Sequence, residues 1–233
     1  MKYVSAIVLA AGSGLRFKSK IPKPFVKINS QPIIIYCLEI LSKHPSVRDI
    51  IVVVNDGFLG EMVSKIRQYR IDKVRQVIKG GRLRQDSVRN ALKAIDNRTD
   101  AVLIHDGARP IIDKETVSSV IKEARKSGAA ILGVPVKATI KKLKAQSSKL
   151  KDRLVVDKTL NRENLWEVQT PQVFKKELIL QAYSKFGKSE VTDDASLVEK
   201  LGARVKVVMG SYSNIKITTP EDLVIAEAIL NKT

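Results

Sequence analysis

The sequence of 233 residues has few of the side chains that form disulfides or bind transition metals. Cys37 is its only cysteine, so no intramolecular disulfide can form. His44 and His105 are its only histidines, and no cluster of cysteine and histidine has the spacing of a zinc site. Because disulfides are rare in reducing compartments, the simplest expectation is a cytoplasmic protein.

Long hydrophobic runs are also missing from the sequence. No stretch approaches the roughly 18 consecutive apolar residues that a membrane-spanning helix needs. Lys2 and the apolar run after it could be mistaken for a short signal peptide. That run has the length of a buried strand and leads directly into a loop and a helical pattern, so we expect no signal peptide and no membrane partner.

Negative charge is scarce, most of all near the N-terminus. No acidic residue precedes Glu39, and the whole chain carries a formal net charge of +18. Such an excess predicts an anionic partner, which charge alone leaves open among nucleic acid, an acidic membrane surface and phosphorylated small molecules. Aromatic residues make up only 5% and are not interleaved with the basic ones, which argues against a nucleic-acid partner.

Short β-branched runs alternate with helical patterns in the first 136 residues. The apolar runs are continuous rather than alternating, as in a parallel sheet that is covered on both faces. We therefore predict one α/β domain over residues 1–233, with a Rossmann-like, mostly parallel sheet and ligands at the carboxyl ends of its strands. The predicted strands are Val4–Leu9, Asp49–Val54, Val74–Ile78, Ala101–His105 and Ala129–Val134. The predicted helices are Pro32–Lys43, Gly57–Tyr69, Arg84–Ile95 and Lys114–Ser127.

The alternation stops after Val136. Residues 137–158 contain eight basic and two acidic residues and show weak alternation around a polar tip. This pattern predicts a protruding hairpin, the arm (residues 137–159), with strands near Ala138–Lys144 and Leu150–Asp157. Such an arm either embraces a partner subunit or is a solvated excursion without a role, and the pattern leaves both open.

Beyond the arm, the patterns are shorter. A short segment follows around Trp166–Phe174. Helices are predicted at Lys175–Phe186, Asp193–Leu201 and Pro220–Leu230, and strands at Arg204–Val208 and Ile215–Thr218. The last helix has a Thr cap, a proline in its first turn and acidic residues after it, all of which favour a helix start.

The segment LAAGSGLRFKSKIPKPF (Leu9–Phe25) has the clearest functional pattern, because glycines and four basic residues follow the first strand. It contains neither the Walker A sequence nor the third glycine of the Rossmann fingerprint. Glycines allow backbone N–H groups to approach phosphate oxygens closely. Arg16 and Lys23 can reach toward the same phosphates, whereas we interpret Lys18 and Lys20 as solvated surface residues.

This segment resembles the signature of nucleotidyltransferases that join a nucleoside triphosphate to a sugar phosphate. Later motifs resemble, in order and spacing, the 2-C-methyl-D-erythritol 4-phosphate cytidylyltransferase family: GGRLRQDSV (80–88), HDGARP (105–110), VPVKAT (134–139), LWEVQTPQVF (165–174), TDDAS (192–196) and NIKITTPEDL (214–223). The resemblance implies a nucleotidyltransferase fold and attack of the acceptor phosphate on the α-phosphorus of CTP. The products would be CDP-methylerythritol and pyrophosphate, formed with Mg²⁺ or another divalent cation in isoprenoid precursor synthesis.

The resemblance also implies roles in nucleotide binding. Arg16 and Lys23 would be catalytic and stabilise the charge that develops at the phosphorus. Gly80 and Gly81 would lie against the cytosine or ribose, where a side chain would clash. The residues implied to contact CTP are Ala10, Ala11, Gly12, Ser13, Gly14, Lys23, Gly80, Gly81, Arg84, Ser87 and Asp106.

A second set of residues is implied for the acceptor. Arg162 and Lys216 would hold its phosphate from two sides and orient it for in-line attack, and both are counted as catalytic. Thr139 and Thr170 would donate hydrogen bonds to the polyol. Asp106 would place a metal ion or the acceptor hydroxyls. Arg109 would bind the acceptor or brace its loop by pairing with Asp106.

Several alternatives stay open at this point. A ribitol 5-phosphate cytidylyltransferase has the same fold and reaction and is the runner-up, and a basic nucleic-acid-binding protein is a more distant one. The resemblance also implies a homodimer in which the arm crosses to the partner. We interpret His105, Asp193 and Asp194 as structural residues. Pro24 stands where the resembling family usually has Gln.

Overall fold

The computed structural model describes residues 3–12, 22–144, 155–187 and 191–232. Within these ranges the strands are β1 (Val4–Leu9), β2 (Lys27–Ile28), β3 (Gln31–Pro32), β4 (Val47–Val54), β5 (Val74–Lys79), β6 (Ala101–Asp106), β7 (Ala129–Pro135), β8 (Lys141–Leu143), β9 (Val156–Thr159), β10 (Trp166–Lys175) and β11 (Lys206–Met209). The α-helices are α1 (Ile33–Lys43), α2 (Leu59–Gln68), α3 (Arg84–Leu92), α4 (Lys114–Ser127), α5 (Lys176–Phe186), α6 (Ala195–Lys200) and α7 (Pro220–Leu230).

The central sheet has the strand order β11–β7–β10–β6–β1–β4–β5. Its pairs are parallel except at β10, which runs antiparallel to both β6 and β7. The packing explains the continuous apolar runs, because successive side chains of β1 enter different core clusters: Ala6 and Val8 face one cluster and Ile7 the other. Helices α1, α2 and α4 cover the first face, and α3, α5 and α6 cover the second.

Local sequence signals set the helix ends where the patterns predicted them. Helix α4 begins at Asp113, whose side chain accepts a hydrogen bond from the Thr116 N–H at 2.6 Å, and it ends at Gly128 in the left-handed conformation. Helix α7 begins at the predicted Thr219 cap, where Asp222 completes a capping box. It packs over a small cluster that contains Ile28, Ile33, Ile217 and Ala226.

In the later part of the chain, one strand carried no prediction and one predicted strand was wrong. The segment around Trp166–Phe174, to which no element was assigned, forms most of the ten-residue strand β10 in the middle of the sheet. Polar residues and a register shift between Gln169 and Gln172 hide its periodicity, although these side chains are buried. The predicted strand Ile215–Thr218 is an extended loop, because its Ile217 N–H donates to the Ala108 carbonyl rather than to a strand.

The arm is present as the short antiparallel pair β8 and β9, which forms a sheet of its own. Its predicted tip at Gln146–Ser148 lies outside the described residues. Among the helices that the structure describes, none combines the length and apolar character that crossing a bilayer would require.

Candidate active site

A cavity of about 700 Å³ opens where β1, β4 and β6 end. This is the edge at which parallel α/β sheets bind ligands, as the sequence predicted. Asn55 follows β4, and Asp106 ends β6. The full lining consists of Leu9, Ala10, Ala11, Gly12, Lys23, Pro24, Asn55, Gly81, Arg82, Leu83, Arg84, Ser87, Asp106, Ala108, Lys216 and Thr218.

The turn after β5 brings α3 to the cavity, and it depends on two glycines. A side chain at Gly80 would collide with Ala11, and one at Gly81 would collide with Asp86. The Gly81 N–H donates to the Ser87 hydroxyl at 3.0 Å, which ties the turn to the first turn of α3. The protein itself therefore accounts for both glycines, without the ligand contact that the resemblance implies, and Gly80 lies outside the cavity lining.

Charged side chains form a connected cluster on one wall of the cavity. Lys216 Nζ lies 2.7 Å from Asp106 Oδ2, and Arg84 Nε lies 3.5 Å from Asp106 Oδ1. Arg84 Nη1 also lies 2.8 Å from Asp194 Oδ2, behind the wall. Burial alone would raise the pKa of Asp106, but Arg84 and Lys216 outweigh it and hold that pKa well below its usual range. Asp106 is therefore ionised throughout the physiological pH range.

The structure brings most of the predicted nucleotide residues and one predicted acceptor cation to a single cavity. Ser13, Gly14 and Arg16 lie outside the described residues. The predicted residues that line the cavity are Ala10, Ala11, Gly12, Lys23, Gly81, Arg84, Ser87, Asp106 and Lys216.

Thr170 lies inside the protein, not at the cavity surface. Its hydroxyl accepts from the Asp106 N–H at 3.0 Å and donates to His105 Nδ1 at 3.0 Å. His105 Nε2 lies 3.0 Å from the Arg109 carbonyl, which can only accept, so this nitrogen carries the proton of a neutral imidazole. Burial lowers the pKa of His105 to about 4. Thr170 thus supports the Asp106 backbone, its contact with the polyol stays a prediction, and His105 has the internal hydrogen bonds of a structural residue.

Arg109 braces the loop after β6 in a different way from the one predicted. Its Nη1 donates to the Asn214 carbonyl at 2.6 Å, and Asn214 Nδ2 donates to the Thr170 carbonyl at 2.9 Å. The predicted ion pair with Asp106 is replaced by this link between loops. Arg109 does not line the cavity.

Thr139 and Arg162 lie exposed at the base of the arm, away from the cavity lining of their own chain. Arg162 Nη1 donates to the Lys137 carbonyl at 2.5 Å, which ties the two sides of the base together. Their predicted contacts with the acceptor stay predictions.

Sequence reasoning missed several lining residues. Asn55 carried a usable signal, because it directly follows the end of β4, where ligands are expected. Arg82 and Leu83 lie within the GGRLRQDSV motif and Thr218 within NIKITTPEDL, but no role was predicted for them. Pro24 lies with Lys23 in a 3₁₀ turn, Lys23–Phe25, and its ring is buried against the cavity wall.

The described residues do not fit a metal ion held by Asp106. They contain no group of three acidic, histidine or cysteine side chains that could hold one. Asp106 is the only carboxylate in the described cavity lining, and both of its oxygens face cations. Asp193 accepts from the Ser196 N–H at the start of α6, and Asp194 pairs with Arg84, so the partners of both side chains lie within the protein.

Comparison with known proteins identifies the family. The family model described as "2-C-methyl-D-erythritol 4-phosphate cytidylyltransferase" matches residues 4–232. The chain belongs to this family. Membership confirms the predicted family, the α/β fold class and the enzyme activity, that of a cytidylyltransferase, and nothing in the comparisons supports the ribitol 5-phosphate or nucleic-acid alternatives.

Relatives with the family name match over nearly their whole length. The enzyme of Syntrophus aciditrophicus is 43% identical over 234 residues, which cover 98% of this chain and 96% of that one. The enzyme of Desulforamulus reducens is 43% identical over 237 residues, with 100% and 97% covered. Both carry the name 2-C-methyl-D-erythritol 4-phosphate cytidylyltransferase.

Crystal structures of the same family share the fold. The 4-diphosphocytidyl-2C-methyl-D-erythritol synthase of Anaerococcus prevotii superposes with a TM-score of 0.84 at 35% identity, covering 99% of this chain and 96% of that one. The cytidylyltransferase of Thermus thermophilus gives a TM-score of 0.75 at 30% identity, with 97% and 98% covered.

Proposed function

We propose that the cavity binds CTP and 2-C-methyl-D-erythritol 4-phosphate side by side and joins them into CDP-methylerythritol, as a step of isoprenoid precursor synthesis. The observation that carries this proposal is the lining itself. Gly12, which follows β1, and Lys23 face the same cavity as the pair formed by Asp106 and Lys216. One wall suits a triphosphate, and the other suits a phosphorylated polyol.

The reaction needs positioning and charge more than it needs a base. An oxygen of the acceptor phosphate forms a bond to the α-phosphorus of CTP, and the bond from that phosphorus to the bridging oxygen breaks. Pyrophosphate leaves with the bonding electrons, and no proton has to be removed because the attacking phosphate is already ionised. Lys23, together with Arg16, stabilises the negative charge that accumulates on the phosphoryl oxygens and on pyrophosphate.

The pair of Asp106 and Lys216 offers complementary groups to the acceptor. Lys216 donates to its phosphate, and the Asp106 carboxylate accepts hydrogen bonds from its hydroxyls. Arg84 stays on the inner side of Asp106, where it keeps the carboxylate ionised. A divalent cation would have to be held by the phosphate oxygens of CTP, since Asp106 is already neutralised by cations.

A homodimer would complete the acceptor site through the arm. Thr139 and Arg162 do not line their own cavity, and they stand exposed at the base of a projecting hairpin. Leu143, Val155 and Val156 on the arm are between 40% and 48% exposed, which favours a partner that covers them. We place the enzyme in the cytoplasm, in keeping with Cys37, whose buried thiol has its pKa raised to about 12.

The test compares acceptors with CTP and a divalent cation and follows pyrophosphate release. We expect 2-C-methyl-D-erythritol 4-phosphate to have the highest kcat/KM, and a clear preference for ribitol 5-phosphate would contradict the proposal. Lys23→Ala should lower kcat about 100-fold or more, the loss typical of removing one preorganised charge contact. Lys216→Ala should chiefly raise KM for the acceptor.

Lys122→Ala removes an exposed lysine from α4 that is not part of the cavity lining, and serves as the matched control. It should keep kcat and both KM values. Equal defects in Lys23→Ala and Lys216→Ala would show that the two lysines do not have the separate roles assigned to them.

A further inference from the structure

We infer that Tyr183, acting through Asp194, is a positioning residue that fixes Arg84 and thereby orients Asp106 in the cavity. The inference rests on the proposed function, because it gives Asp106 and Arg84 their task. Neither Tyr183 nor Asp194 lines the cavity, so both act from behind its wall.

The contacts form an unbroken line from α5 to the cavity. The Tyr183 hydroxyl donates to Asp194 Oδ1 at 2.5 Å, and Asp194 Oδ2 lies 2.8 Å from Arg84 Nη1. Arg84 Nε then faces Asp106 Oδ1 at 3.5 Å, and Lys216 takes the other oxygen of Asp106. Each oxygen of the two carboxylates thus has a different partner.

Burial restrains this series of contacts from Tyr183 to Asp106. Asp194 is fully buried, Tyr183 is 6% exposed, and the Asp106 side chain is 11% exposed. A buried carboxylate without a hydrogen-bond partner destabilises the fold, so breaking any one of these contacts costs free energy. The Tyr183 phenol stays a donor, since burial and the charge of Asp194 both raise its pKa.

The hydroxyl of Tyr183 decides how Asp194 uses its two oxygens. With Oδ1 occupied by the phenol, Asp194 offers Oδ2 to Arg84 and holds Nη1 away from Asp106. Without the phenol, Asp194 Oδ1 loses its partner inside the protein, and Asp194 can turn both of its oxygens to the planar fork of Arg84. That arrangement draws Arg84 Nε away from Asp106 Oδ1, so the Asp106 carboxylate loses one of the two contacts that orient it in the cavity.

Tyr183→Phe tests this line, and Tyr36→Phe is its matched control. The Tyr36 hydroxyl also donates one hydrogen bond inside the protein, to the Ile28 carbonyl at 2.7 Å, but away from the cavity. We expect Tyr183→Phe to lower kcat about tenfold, with KM for CTP within about twofold, as when a partner behind a functional group is removed. Tyr36→Phe should keep kcat within about twofold at a similar loss of Tm.

Two further measurements separate positioning from general stability. In an Asp106→Asn background, Tyr183→Phe should cost nothing more, because its effect passes through Asp106; a full additional loss would overturn the inference. If Tyr183→Phe fails to fold, Asp194→Asn keeps the shape, removes the charge that holds Arg84 and should also lower kcat. A kcat for either variant no lower than that of Tyr36→Phe also overturns it.

A crystal structure of Tyr183→Phe without substrates gives a readout that does not depend on turnover. We expect Arg84 to bind both oxygens of Asp194 and its Nε to move away from Asp106 Oδ1. An unmoved Arg84 would overturn the inference even if the proposed function stands. A wild-type enzyme that releases no pyrophosphate would instead contradict the proposed function and leave this structural comparison valid.

Discussion

At the scale of single residues, the hydrogen bonds behind Asp106 depend on a neutral imidazole. His105 donates from Nε2 to the Arg109 carbonyl and accepts at Nδ1 from Thr170, which in turn receives the Asp106 N–H. A second proton on the ring would place a donor against the Thr170 hydroxyl and a charge in the core. The loop that carries Asp106 is therefore sensitive to the protonation of a residue that does not touch the cavity.

This arrangement predicts a loss of stability in mild acid. The pKa of His105 is about 4 in the folded protein and about 6.5 in an unfolded chain, so between these values the unfolded state binds more protons. The contribution is intact above pH 6.5 and is lost as the pH falls toward 4. We expect the free energy of unfolding to fall by about 2 kcal/mol from pH 7 to pH 5 through this residue alone.

Urea unfolding at the two pH values measures the change, and His105→Gln supplies the comparison. The variant should lack this part of the pH dependence while keeping the parts that arise from other groups. Identical pH dependence in both proteins would show that His105 does not titrate as described.

At this scale, the sequence predicted the charged residues that line the cavity better than the buried residues that hold them in place. Lys23, Asp106 and Lys216 stand in motifs whose charged residues predict contact with a phosphate or a hydroxyl group, and all three line the cavity. Thr170 and Arg109 stand in equally clear motifs, yet they hold backbone groups inside the protein. A motif indicates that a side chain matters, but whether it faces ligand or backbone depends on packing between distant loops.

At the scale of elements, the turn between β5 and α3 sets the position of Arg84 and Ser87. The Asp86 side chain accepts from the Leu83 N–H at 3.1 Å and starts the helix, and it lies where a side chain at Gly81 would go. Gly81→Ala must therefore displace the first turn of α3. We expect a loss of about 1–3 kcal/mol in unfolding free energy and a lower affinity for CTP.

Gly60→Ala is the matched control for this prediction. Gly60 lies in α2 with open space around the position of an added Cβ, so the change should stabilise the protein by up to about 1 kcal/mol. Thermal unfolding and CTP titration of both variants distinguish a helix effect from a general cost of losing glycine. Equal behaviour of the two variants would contradict the role assigned to the turn.

The elements themselves were predictable wherever one pattern held for a whole segment. The strands β1, β4, β5, β6 and β7 were predicted within a few residues, because each contains a run of apolar and β-branched residues, which in β5 is interrupted by Arg75 and Gln76. Strand β10 was missed because Gln169, Thr170 and Gln172 interrupt its apolar pattern, and their polar atoms find partners only in the folded sheet. Ile215–Thr218 has a strand-like pattern, but the chain there closes a wall of the cavity instead of joining the sheet.

At the scale of the whole molecule, the arm predicts the state of assembly. Deleting residues 141–151 removes β8, with its exposed Leu143, and most of the residues between β8 and β9. We expect the deleted protein to elute as a monomer and to lose acceptor affinity, with CTP affinity retained. Size-exclusion chromatography with light scattering measures the first, and an unchanged elution volume would contradict a dimer formed by the arm.

The position of β10 also has a consequence for the protein while it is being made. Strands β1, β4, β5 and β6 can pair as the first half of the chain leaves the ribosome, but β6 then has one open edge. Strand β7 lies between β10 and β11, and both of these strands are synthesised after it. A ribosome that pauses within the arm therefore presents an unpaired apolar strand edge, the kind of surface that aggregates or recruits a chaperone.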